Sequence, residues 1–94
     1  MTLRKEAEFV LERLETAYDE GRLRDWLDEA VEVETIKDHG YYKGCCVVVT
    51  YGGPTVCLYT MTGCIEFKWG NDFTRVPISD EIRDAIDEIV ETFA

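Results

Sequence analysis

Ninety-four residues suffice for one domain, 1–94, with a modest core, since a chain of this length buries about 60–65% of its unfolded surface. An apolar fraction of 46% and an aromatic fraction of 12% exclude a disordered, low-complexity chain. Twenty acidic residues against ten basic ones leave a net charge of −10 and a pI of about 4.4, which excludes direct phosphate-backbone binding as the default activity.

No apolar run approaches the roughly 18–20 residues of a membrane span, and the opening MTLRKEAEF holds no apolar signal core, so neither membrane association nor export is expected. Residues 3–18 have helical periodicity, with Leu3, Ala7, Val10, Leu11, Leu14, Ala17 and Tyr18 at three- and four-residue steps. Thr2 is positioned to cap this helix and Gly21 to stop it. A second short helix is expected over 23–30, with Trp26 and Leu27 as its apolar contacts. From Val31 the period changes to two: Val31, Val33 and Thr35 alternate with Glu32 and Glu34, as in a half-buried strand.

Asp38-His39-Gly40 marks a turn. The run CCVVVTY over 45–51 is apolar and rich in β-branched residues, as expected of a central strand covered on both faces. Gly52-Gly53-Pro54 reads as a hairpin turn needing positive φ. Strands follow over 55–61 and 64–69, separated by Thr62-Gly63. In the second of these Ile65, Phe67 and Trp69 alternate with Glu66 and Lys68. Gly70-Asn71-Asp72 leads into a short edge strand over 73–76, ended by Pro77. Ser79 then caps a helix to about Phe93 with a stripe of Ile82, Ala85, Ile86, Ile89, Val90 and Phe93. The expectation is an α+β fold: an antiparallel four- or five-stranded meander, N-terminal helices and a C-terminal amphipathic acidic helix. Its core should include Val10, Leu14, Val47, Val49, Leu58, Ile65, Phe67, Ile82, Ile86 and Ile89.

Parts for a reaction are scarce, and the expectation is a protein that is not an enzyme and needs no cofactor or metal. His39 is the only histidine, no C-x-x-C pair occurs, and Cys45, Cys46, Cys57 and Cys64 all lie in or beside apolar runs. Adjacent Cys45 and Cys46 project to opposite faces of a strand and cannot easily share a partner. Four buried, reduced thiols and a cytoplasmic location are expected. Gly52-Gly53-Pro54 lacks the lysine and hydroxyl of a phosphate cradle.

Charge is distributed unevenly. Residues 1–30 carry a net −4, residues 31–76 a net −1 and residues 77–94 a net −5. On a helical wheel Asp80, Asp84, Asp87, Glu88 and Glu91 lie opposite the apolar stripe, with Glu81 flanking them and Arg83 as the only basic residue. Like charges at 80/84, 84/88 and 87/91 each cost about 0.2–0.5 kcal/mol, where interleaved lysines would stabilise by as much. Between Asp80 and Glu91 the helix rises about 16 Å. One DNA strand places about five phosphates over that length. Such a row suits a groove lined with Lys and Arg, and Asp25, Asp28 and Glu29 are candidates to extend it. A face that only confers solubility is the competing reading.

Short acidic α+β chains that retain cysteines and end in a carboxylate-studded helix resemble the small anti-defence proteins of phages and mobile elements, including anti-CRISPR proteins and antirestriction DNA mimics. The likeness covers the whole chain in size and charge, and no catalytic residue transfers. It implies a stoichiometric inhibitor occupying the nucleic-acid site of a basic partner, a CRISPR effector, restriction enzyme or nuclease. An immunity protein or antitoxin that plugs a nuclease toxin would use the same helix, and a small non-inhibitory interaction subunit is the third alternative. Oligomeric state is left open by the sequence.

Overall fold

The computed structural model describes residues 3–51 and 54–93. Thr2, the expected cap, and Gly52 and Gly53 of the expected turn lie outside them. Helix α1, Leu3–Asp19, and the short α2, Leu23–Asp28, precede five strands and a final helix. The strands are β1 Glu32–Asp38, β2 Tyr41–Thr50, β3 Thr55–Tyr59, β4 Cys64–Trp69 and β5 Asp72–Pro77, and α3 is Asp80–Phe93. Every strand pairs antiparallel with its sequence neighbour, giving one sheet in the order β1-β2-β3-β4-β5. The architecture is therefore α+β, a five-stranded meander with helices at both ends of the chain.

Turn chemistry sets the strand lengths. His39 and Gly40 have φ of 53° and 82°, and Asp38 pairs with Tyr41 across them. A two-residue turn with positive φ at both centres matches the twist of the flanking strands, so the ladder runs to its edge. This is why β1 extends to Asp38 rather than stopping at Thr35, and why β2 begins at Tyr41 rather than Cys45. The β4–β5 hairpin is also a two-residue turn, between Trp69 and Asp72, but with positive φ only at its first centre, Gly70 (58°). Helix α2 ends at Asp28, two residues short of the expected span, and the chain turns at once into β1. At α3 the Ile82 amide donates to Ser79 Oγ at 3.3 Å, the expected cap.

The helices cover one face of the sheet. Helix α1 lies over β4 and β5, α2 lies against α1, and α3 lies over β2. Ala7, Val10, Leu14 and Ala17 form the buried stripe of α1, and Ile82, Ile86 and Val90 that of α3. Alternation along the strands sends Cys45 and Val47, Val56 and Leu58, and Ile65 and Phe67 into the same core. Val49 and Ile89 are packed against that core but only half-buried.

Among the described residues no helix covers the opposite face. Cys46 and Val48 project there and are nonetheless buried. The expectation that the 45–51 run is covered on both faces is thus corrected: helices cover one side, and on the other its cross-strand neighbours do. Cys46 pairs with Tyr59, and the Tyr51 hydroxyl donates to Glu32 at 3.0 Å, beside Val48 in the ladder. The thiols divide accordingly. Cys45 and Cys46 are buried as expected, while Cys57 and Cys64 are half-exposed on the open face because strand parity places them outside the helix-covered core.

Candidate functional site

Amphipathic periodicity turns the carboxylates of α3 outward when Ile82, Ile86 and Val90 turn in. Asp80, Glu81, Asp84, Glu88 and Glu91 are exposed. They do not form a uniform row. Arg83 lies 4.0 Å from Asp80 and 3.9 Å from Asp84, so the N-terminal half is bridged by the helix's one cation. Asp80 remains 86% and Asp84 74% exposed, so these contacts are screened and weak. Among the described residues Glu81, Glu88 and Glu91 have no basic side chain within 4.0 Å. The uncompensated charge thus concentrates toward the C-terminal end, where the helix dipole opposes it.

Asp87 departs from the expected row. It is half-buried and accepts a 2.6 Å hydrogen bond from the Tyr42 hydroxyl, joining α3 to the start of β2. Burial and then this carboxylate push the Tyr42 hydroxyl well above its ordinary value, so it remains a donor across the accessible pH range. Asp87 therefore anchors the helix to the sheet instead of belonging to the free surface. Removing the donor in Tyr42→Phe should lower stability by about 1–3 kcal/mol, since a part-buried carboxylate loses its partner. Urea unfolding of Tyr42→Phe checks this, and a midpoint equal to that of the wild type would contradict it.

The acidic residues of α2 divide between two notches. Asp28 lines a groove with Leu27, Val33, Ile89 and Phe93, and Arg24 lies over the Phe93 ring at 4.5 Å. This places Asp28 beside the C-terminal turn of α3, where it can extend that surface. Asp25 and Glu29 instead line the notch between α1 and α2 with Phe9, Arg13, Arg22 and Trp26. Glu29 is 3.9 Å from Arg13, and Arg13 also approaches the Phe9 ring. These cations dilute the second notch, which separates Asp25 and Glu29 from the α3 row. The Tyr42–Asp87 link and the Arg24–Phe93 contact join residues 45 and 69 positions apart, and no local periodicity signals either.

Of the nucleophilic groups, Cys45 and Cys46 are buried and Cys57 and Cys64 are part-buried. His39 is exposed on its turn, 3.5 Å from Asp38. Cys45 is buried, with its backbone amide donating to Thr60 Oγ1 at 2.8 Å, and burial pushes its thiol up. On the open face burial, followed by the neighbouring Cys57, pushes the Cys46 thiol up to about 11. Burial and the same thiols push the Tyr59 hydroxyl to about 12. A thiol that ionises later in the folded state than in the unfolded state holds more protons when folded. Its contribution is therefore complete below about pH 9 and is lost as pH rises toward 11. Denaturant midpoints should be level from pH 7 to 9 and fall by pH 10.5, with a shallower fall in Cys46→Ala. A wild-type midpoint unchanged at pH 10.5 would contradict this.

Among the described residues no cluster of His, Cys, Asp and Glu is arranged to hold a metal ion, and no helix is long and apolar enough to cross a membrane. What the geometry defines is an α+β domain with its helices on one side of a meander and a carboxylate-bearing helix on the outside. No protein-family model, curated protein or solved structure matches this chain.

Proposed function

We propose that the protein is a stoichiometric inhibitor of the anti-CRISPR or antirestriction kind, whose α3 carboxylates take the place of phosphates in the cationic groove of a nucleic-acid-binding partner. The observation that carries this reading is the composition of the α3 surface: five exposed carboxylates, one cation, and that cation placed at the N-terminal end. A helix selected for stability alone would interleave lysines at i+4 and keep acids away from its last turn. Glu88 and Glu91 do the opposite. Asp28 lies next to this end of the helix and widens the anionic strip.

Exposed, uncompensated charge at this density speeds encounter with a basic surface, and its effect fades as salt shortens the screening length to about 8 Å at physiological strength. The test is affinity capture of partners from a host lysate at low and at high salt. A nucleic-acid-binding protein retained at low salt, released at high salt and inhibited at one-to-one stoichiometry is the expected result. Capture of only neutral or acidic partners would overturn the proposal.

A further inference from the structure

We propose that the open face of the sheet is the interface of a homodimer, in which two copies stack sheet to sheet about a twofold axis running parallel to the strands through β3. One row across this face reads Glu32, Val48, Cys57, Glu66, Arg75 from β1 to β5. The next reads Glu34, Cys46, Tyr59, Cys64, Pro77. The middle of the face is thus apolar, thiol and phenol apart from Glu66, which Arg75 pairs, while its two edges carry opposite charge. Glu32 and Glu34 lie on β1. Arg75 lies on β5, with Lys68 on β4 near it; both approach the exposed Phe73 ring. By strand alternation this face holds four acids, Glu32, Glu34, Asp38 and Glu66, and two bases, Lys68 and Arg75, a net −2 in a chain of net charge −10.

Symmetry decides how two such faces meet. An in-plane axis perpendicular to the strands would set β1 over β1 and oppose acid to acid. An axis along the strands keeps each row level and exchanges the edges. Glu32 then lies over Arg75 of the partner subunit, Cys57 over Cys57 of the partner subunit, and Cys46 over Cys64 of the partner subunit. Aligned sheets pack about 10 Å apart with strands about 30° from parallel, which leaves these oppositions approximately in place. Arg75 is available for the contact: its ion pair to the largely covered Glu66, at 3.2 Å, leaves it 53% exposed. Glu32 is likewise exposed beyond its bond from Tyr51.

The area fits a weak, reversible dimer. Five strands at about 4.8 Å and six residues at about 3.4 Å give on the order of 500 Å² per copy. The total of about 1,000 Å² is at the lower bound for a specific interface. Both α3 helices lie on the far sides of the stacked sheets, so the dimer leaves the acidic surfaces outward and does not depend on the inhibitor reading.

Sedimentation velocity on the full chain from about 5 to 500 μM tests this directly. The expected result is a concentration-dependent shift from 10.8 kDa to twice that mass. Glu32→Arg and Arg75→Glu should each raise the dissociation constant about tenfold or more, by setting like charges over each other. The combined Glu32→Arg/Arg75→Glu variant, which exchanges the two edges, should return it to within about threefold of wild type. A wild type that stays monomeric throughout, as expected if the face serves a different protein, would overturn the proposal. So would single variants that dimerise like wild type, or a combined variant as monomeric as the singles.

Discussion

Replacing Phe67 with alanine should lower the unfolding free energy by about 3–5 kcal/mol, the largest single-residue effect expected in this protein. Phe67 lies on β4 beneath α1 and is the largest fully buried side chain. Its strand neighbours Val56 and Thr74 are fixed to β4 by the backbone ladders on either side of Phe67, so they cannot move in to fill the space. A domain of this length has a total stability of about 5–14 kcal/mol. Loss of 3–5 kcal/mol is therefore a large fraction of it, and each kcal/mol moves the melting temperature by about 4–8 °C. Phe9→Ala is the internal control, because Phe9 is 55% exposed and should cost little. Thermal and urea unfolding of the two variants check this together. A Phe67→Ala melting temperature within a few degrees of wild type would contradict the packing of α1 on β4.

The second large effect is on binding. Glu88→Lys/Glu91→Lys reverses the two carboxylates toward the helix C-terminus that, among the described residues, have no basic side chain within 4.0 Å. Arg24 nonetheless lies over the nearby Phe93 ring. The proposed inhibitory activity should fall on the order of 100-fold, chiefly through slower association, and raising salt should reproduce much of the loss in the wild type. Stability should move the other way, rising by about 0.3–1 kcal/mol for each lysine placed at the negative end of the dipole. Losing binding while gaining stability separates a binding surface from a structural one. An equal loss of both would mean that the substitutions act through the fold.

The helices and the inward faces of β3 and β4 were legible because their periods differ, three- and four-residue steps in α1 and α3 and two-residue steps in the strands. The face of β1 was not, since Val31, Val33 and Thr35, expected on the covered side of a half-buried strand, are all exposed at the edge of the sheet. Strand ends were also less legible. The length of β1 depends on His39 taking a left-handed conformation, which a non-glycine residue adopts uncommonly and the sequence does not announce. The covering of the 45–51 run is not legible in the sequence, because apolar residues on both faces look alike whether a second layer or only cross-strand neighbours bury them. The acid row on α3 follows from the wheel, since Ile82, Ile86 and Val90 fix which side faces inward. The removal of Asp87 from that row does not, because it depends on Tyr42 reaching it from another element. The separation of Asp28 from Asp25 and Glu29 depends in the same way on α2 packing between two neighbours.

If α3 stands in for nucleic acid, the protein and a duplex compete for one site on the partner. A partner captured by the wild-type protein is challenged with a duplex oligonucleotide, and the retained fraction of each ligand is followed across a titration. Mutually exclusive binding is the predicted result, with Glu88→Lys/Glu91→Lys displaced at far lower oligonucleotide concentration than wild type. A ternary complex of partner, protein and duplex, or a charge-reversed variant that competes as well as wild type, would contradict the account.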